Sequence, residues 1–213
     1  MQVCLASTSP ARLMLLRQAG IEPVTRSPQT DEDAVAAQAA SERGANLAPA
    51  ELVLLLARAK AKDVAQRLAV EDPTFDGLVI GGDSMFALGG RVYGKPYTAE
   101  EATRRWREMR GATGILHSGH CVFRVQPGAA PREATAVAEA SVTFAADITD
   151  DEIAAYVATG EPLHVAGAFT VDSLGGAFIT RVDGDPSTVV GMSLSTIRHL
   201  AAELGVTWTE LWS

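Results

Sequence analysis

Cysteine is scarce in this 213-residue chain: Cys4 and Cys121 are the only two, each in an apolar stretch that reads as a strand. Two such thiols build no disulfide framework, and they read as small buried hydrophobes of a reducing compartment. Long apolar runs are missing as well. The longest, near Leu52–Ala57, falls far short of the ~20 residues that span a bilayer. At the N-terminus no basic segment precedes an apolar one, so no signal peptide is expected and the reading is cytoplasmic. Positive charge is in deficit, with 18 Lys and Arg against 26 Asp and Glu, a net charge of −8. That argues against a general nucleic-acid binder, whose footprint is a basic patch. It leaves attraction for a polyphosphate to local cations, backbone N–H groups and metal. The G-x-x-x-x-G-K-[ST] spacing of a Walker loop does not occur. His117, His120, His164 and His199 lack zinc-like spacing, and the first two, three apart on one strand, point to opposite faces.

What remains is an ordinary globular composition, 47% hydrophobic and 21% charged, in a chain long enough to bury roughly 70% of its unfolded surface. Gln2–Ala6 reads as a strand that turns at Ser7–Pro10 into a helix, with Ser9 as cap, Pro10 at the first position and Leu13, Met14 and Leu16 on the buried face. Residues 28–46 are acidic and alanine-rich, and a mobile loop or short helix is expected there. A longer helix is expected from about Pro49 to Leu68. Leu78–Gly82 reads as a strand, followed by a hairpin about Gly89-Gly90. Thr98-x-x-Glu101 and Thr149-x-x-Glu152 are capping boxes that open two helices. Strands are expected near 115–125, 135–145 and 177–182, with a last helix over 193–204. Helical and hairpin connections are mixed, which predicts a single-domain α/β fold around a mixed twisted sheet flanked by helices, with room for two lobes.

Several short constellations carry chemistry. Leu5-Ala6-Ser7-Thr8-Ser9-Pro10-Ala11-Arg12 runs a strand into a helix N-terminus, where free N–H groups and a partial positive charge suit a phosphate. The Ser7 and Ser9 hydroxyls and the Arg12 guanidinium add donors, although a capped helix with an exposed arginine reads the same way. Val79-Ile80-Gly81-Gly82-Asp83-Ser84 ends a buried strand on a carboxylate, a usual place for an active residue; an Asp in a turn is the plain alternative. Gly94-Lys95-Pro96 holds Lys95, a point charge for phosphate, on a rigid segment. Lys60 shares an apolar helical stripe with Val53, Leu56 and Val64, so it needs a partner there or must reach back to water. Asp31-Glu32-Asp33 reads either as a solvated acidic loop or as oxygen ligands for a hard divalent cation beside Asp83.

Taken in order, these segments resemble the Maf family of nucleoside triphosphate pyrophosphatases over nearly the whole chain. The resemblance rests on LASTSPAR, Asp31-Glu32, the AKA around Lys60, VIGGDS, GKP, the TGEPL…AGAF block and GDPSTVVGMSL. It implies an ITPase-like fold, dependence on a divalent cation (Mg²⁺ or Mn²⁺), a nucleoside triphosphate substrate and a homodimer; from the charge and the short apolar runs no nucleic-acid or membrane partner is expected. By the same likeness Asp83 matches the catalytic aspartate and a metal ligand, with Glu32 as a second ligand. Ser7, Arg12, Lys60 and Lys95 match the polyphosphate site, which Ser9 adjoins. Ala11, Ser84 and Asp172 fall where base selection is expected, and Ala11 and Asp172 depart from the residues relatives often carry. Another metal-dependent phosphohydrolase and a catalytically silent nucleotide-binding regulator of cell division stay open at this level.

Asp172 motivates an expectation about the base. A carboxylate accepts both adjacent donors of a guanine edge, whereas uracil and thymine present one N–H between two carbonyls. A site built on such pairing discriminates strongly, because the wrong base leaves polar groups unpaired. The expected outcome is a higher kcat/KM for GTP than for UTP or dTTP, and a smaller ratio in Asp172→Asn. An unchanged ratio, or a wild-type preference for UTP, removes Asp172 from base selection.

Overall fold

Apolar runs of strand length alternate with capped helical stretches, and in the computed structural model, which describes all residues 1–213, they form one mixed α/β arrangement. The order is β1 (Gln2–Ala6), α1 (Pro10–Gln18), β2 (Val24–Thr25), α2 (Glu32–Arg43), α3 (Pro49–Glu71), β3 (Gly77–Leu88) and β4 (Arg91–Tyr93). Then come α4 (Ala99–Met109), β5 (Thr113–Val125), β6 (Arg132–Phe144), α5 (Asp150–Ala158), β7 (Ile179–Gly184), α6 (Pro186–Val190) and α7 (Leu194–Glu203). Seven strands make one sheet in the order β2-β1-β3-β5-β6-β7, with β4 paired to β3. The mixed sheet expected from the sequence is therefore present. Its chain divides into two compact units: Met1–Asp83 with Ser118–Ala138 and Gly191–Ser213, and Ser84–His117 with Glu139–Val190.

In the first unit β1 lies parallel to both neighbours, Cys4 opposite Val24 on β2 and Val79 on β3. The 23-residue α3 lays Val53, Leu56, Ala57, Lys60, Ala61, Val64, Ala65 and Leu68 inward. Its approach is set by missing side chains. A Cβ on Gly81 would stand 2.6 Å from the Ala57 carbonyl oxygen, and one on Gly119 would fall onto the Val53 carbonyl. Helix backbone thus rests directly on β3 and β5 at those points. Cys4 and Cys121 are buried and unbridged. Burial pushes both thiols up, Cys4 to about 11, which keeps them in the protonated form at neutral pH.

The second unit is built around aromatic rings. Trp106, fully buried, meets Phe144, Tyr156 and Phe178 edge-on, and its indole N–H donates to the Ala168 carbonyl at 2.7 Å. Phe86 pairs with Tyr93 across the β3–β4 hairpin, whose turn places Gly89 and Gly90 at φ +57° and +78°. Both positive angles are those a type I′ turn demands.

Some expectations are narrowed or corrected. Of the two alternatives expected over 28–46 the helix is the one formed, the 12-residue α2, because Asp31 caps it and Gly44 closes it at φ +71°. Asp83 does not end a strand, since β3 continues through it to Leu88. On α1 the buried pair is Leu15 and Leu16 while Met14 is exposed. Arg12 stands one turn before that pair, and the face it shares with them turns inward. The Thr149–Glu152 box closes on both sides, but at Thr98 the reciprocal bond is missing because Glu101 instead holds Arg104 and Arg105. The strand expected at 177–182 begins at Ile179, after a 3₁₀ turn over Leu174–Phe178.

Close approach at two glycines predicts a stability cost. Gly81→Ala and Gly119→Ala are each expected to destabilise by about 1–3 kcal/mol or more, as overpacking does. Gly94→Ala, where a Cβ meets nothing within 4 Å, should stay within about 0.5 kcal/mol of wild type. Urea unfolding of the three variants checks this.

Candidate active site

The first unit gathers Ser7 and Ser9 from the turn after β1, Arg12 from α1, Glu32 from α2, Lys60 from α3 and Asp83 from β3. Where β1 ends, the buried Ser7 Oγ accepts from the Ser9 N–H at 3.1 Å and from Arg12 Nη1 at 3.3 Å. Ser9 caps α1, its Oγ accepting from the Arg12 N–H at 3.5 Å, with Pro10 in the first turn. The helix therefore begins with its positive end beside Ser7. Arg12 Nε donates to the Gly191 carbonyl at 2.8 Å, and a Cβ on Gly82 would stand 3.3 Å from that nitrogen. The two glycines before Asp83 thus have separate reasons, Gly81 for α3 and Gly82 for Arg12.

Lys60 has found a partner rather than reaching for water. Its Nζ lies 2.8 Å from Asp83 Oδ1 and 2.9 Å from Glu32 Oε2. The Lys60 and Asp83 side chains are only 10% and 12% exposed, whereas Glu32 is 49% exposed, so the cluster opens to solvent on the Glu32 side. The three acidic residues of α2's start divide their work: Asp31 caps the helix through the Ala34 N–H, Glu32 reaches Lys60, and Asp33 is exposed. Burial pushes the Asp83 carboxyl above its ordinary value; Lys60 and Arg12 pull it down, and Glu32 adds to the rise. Burial likewise lowers the Arg12 guanidinium, against the fields of Asp83 and Glu32.

Glu32 and Asp83 direct their oxygens at one point, now held by the Lys60 ammonium. No cluster of three or more His, Cys, Asp or Glu side chains stands ready to cage a metal. Two carboxylates still fit Mg²⁺, which characteristically takes one or two from protein and the rest from phosphates and water. Two of the histidines are engaged elsewhere: His117 Nδ1 meets Glu139 at 2.9 Å, and His120 Nε2 accepts from the Ser193 N–H.

Ala11 is half-buried beside Arg12 on α1. Ser84, Lys95 and Asp172 belong to the second unit. There Ser84 is half-buried on β3, and Lys95 and Asp172 are exposed. Two supports in this unit were not legible as such in the sequence. Arg105 donates to the Gly94 carbonyl, which also accepts from the Gly167 N–H, and so holds the segment that carries Lys95. Glu161 accepts from the Tyr156, Thr170 and Ser173 hydroxyls and from the Leu174 and Gly175 N–H groups, fixing the loop around Asp172. Burial alone would raise the Glu161 carboxyl, but those donors outweigh it and hold it at about 2. A lone Glu between Gly160 and Pro162 reads as a turn residue, and its donors lie up to 14 positions away.

The family model of the Maf-like proteins matches residues 2–204. A "nucleoside triphosphate pyrophosphatase" of Leifsonia xyli is 57% identical over all of this chain and 97% of its own length. One of Salinispora tropica is 50% identical over 100% and 88%, and one of Rhodococcus opacus is 48% identical over 98% and 95%. Among solved structures, a "Nucleoside-triphosphatase / dITP/XTP pyrophosphatase" of Mycobacterium abscessus aligns over 96% of this chain and 97% of its own. Its identity is 13% and its TM-score 0.33, too slight a likeness to argue from.

The buried pair makes a prediction that differs from the one a bare apolar stripe suggests. Lys60→Met extends the stripe but strands Asp83, so it should cost about 3–5 kcal/mol at neutral pH, as loss of one partner of a buried pair does. Adding Asp83→Asn to that variant should return part of the loss. Lys62→Met, on the exposed side, should stay within about 0.5 kcal/mol of wild type. Chemical denaturation of the three variants decides it, and equal stabilities for Lys60→Met and Lys62→Met would refute the coupling.

Proposed function

We propose that this chain, which belongs to the Maf-like protein family, hydrolyses nucleoside triphosphates to the monophosphate and diphosphate. One observation carries the chemistry: a buried carboxylate, Asp83, clamped by the buried Lys60, with a second carboxylate and Arg12 beside it. Water attacks the α-phosphorus, its proton passes to Asp83, and the α–β bridging bond breaks with its electron pair leaving on diphosphate. Burial raises the proton affinity of Asp83 towards working pH, which suits a general base. Lys60 holds the carboxylate in place, and Lys60 and Arg12 offset negative charge as it develops on the phosphates. Ser7, Ser9 and the start of α1 present hydroxyls and a positive helix end to a phosphate. Asp83 and Glu32 would hold a divalent cation, which supplies acidification of a bound water and neutralisation of phosphate charge.

The reading extends to a cytoplasmic homodimer that binds neither nucleic acid nor membrane. The net charge of −8 speaks against a nucleic-acid partner and the unbridged cysteines for a reducing compartment, while the dimer rests on the family resemblance alone. Light scattering on the purified chain tests the dimer.

Wild-type protein with Mg²⁺ or Mn²⁺ is expected to release diphosphate and nucleoside monophosphate in equal amounts, with none formed in EDTA. Asp83→Asn should keep the fold and lose about 10²–10⁴-fold in kcat, the usual worth of a general base. Release of terminal phosphate instead, or wild-type rates in folded Asp83→Asn, would overturn the assignment.

A further inference from the structure

Arg12 is held by a carbonyl that belongs to no regular element. Gly191 lies between α6 and α7 at φ +137°, a conformation that side-chain-bearing residues rarely adopt, and its oxygen accepts Arg12 Nε at 2.8 Å. A guanidinium is planar, so a bond at Nε sets the plane of the whole fork. Here that plane carries Nη1 to Ser7 Oγ at 3.3 Å. Whatever fixes Gly191 therefore fixes the plane in which the Arg12 guanidinium lies.

Two residues later stands Ser193, fully buried and held from two sides. Its Oγ caps α7 by accepting the Thr196 N–H at 3.1 Å, and its own N–H donates to His120 Nε2 at 2.9 Å. His120 is itself fully buried, on β5 directly after Gly119, the residue on which α3 rests. A ring nitrogen that accepts an N–H carries no proton, so this imidazole is the Nδ1–H tautomer. We infer that His120 is a positioning residue for Arg12: it anchors the Gly191–Ser193 turn to β5, and the turn's carbonyl sets the guanidinium. The same strand thereby supports both cations of the cluster, Lys60 through Gly119 and Arg12 through His120. The inference deepens the proposed function, since it rests on Arg12 being a ligand of the triphosphate.

The acceptor, not the ring, is what this role needs. Gln at position 120 can offer an oxygen near the place of Nε2, whereas Met fills similar space without a comparable acceptor. His120→Met is expected to lower kcat/KM for a nucleoside triphosphate by about tenfold or more, the scale of a small misplacement. Most of that should appear in KM, because Arg12 binds phosphate before and during the reaction. His120→Gln should recover most of it, and His120→Met should cause little further loss in an Arg12→Ala background. Equal losses in Met and Gln variants, or an undiminished loss without Arg12, would overturn the role.

A second measurement needs no activity. Long-range ¹H–¹⁵N spectra of the four histidines should show His120, assigned by its loss in His120→Gln, with Nε2 unprotonated. The Arg12 Nε–H signal, assigned by its loss in Arg12→Lys, should be protected from exchange in wild type and exposed in His120→Met. A proton on Nε2, or unchanged Arg12 protection, refutes the inference. If wild-type protein releases no diphosphate, the functional reading falls instead, and these spectra alone judge the positioning.

Discussion

The contact between Lys60 Nζ and Asp83 Oδ1 organises the first unit. A helix and a strand each bring a charge into a region almost closed to water, where an unpaired ion is costly and a paired one strongly held. That meeting is possible only because the surfaces around it are nearly bare of side chains. Gly81 and Gly119 let α3 lie on the sheet with Ala57 and Ala61 beneath it. A larger residue at any of these positions would lift the helix and separate the charges.

Charge balance explains why the pair does not stand alone. Lys60 and Arg12 bring two positive charges, Asp83 and Glu32 two negative ones, and burial acts against both Asp83 and Arg12. A balanced cluster tolerates partial burial, yet it has no surplus cation with which to meet a triphosphate. This is a physical reason for the proposed divalent ion: it would supply the positive charge that four side chains use up on one another. The chain's overall deficit of positive charge makes the same point at longer range.

The second unit solves a different problem, that of holding irregular backbone in place. Arg105 on the Gly94 carbonyl, Trp106 on the Ala168 carbonyl and Glu161 on the 170–175 loop each tie a segment without regular hydrogen bonding to a helix or its end. Buried backbone groups must find partners. Here long polar side chains provide them, which leaves the exposed Lys95 and Asp172 on fixed supports.

Much of the local structure was legible in the sequence because its causes are local. Ser9-Pro10, Thr149-x-x-Glu152, Gly89-Gly90 and the stripe through Val53, Leu56, Lys60 and Val64 act within a turn or two, and the structure realises them. The ordered motifs likewise identified the family, since each is a short string. What the sequence left open was the partner of Lys60, the continuation of β3 past Asp83, and the roles of Glu161, Gly191 and His120. The partner of Lys60 and the roles of Gly191 and His120 depend on contacts between residues 23 to 179 positions apart, and the role of Glu161 on donors gathered from a folded loop up to 14 positions away, which no periodicity encodes. Only packing decided them: once α3 rests on Gly81 and Gly119, Lys60 is brought between Asp83 and Glu32, and the Gly191 turn brings its carbonyl to Arg12.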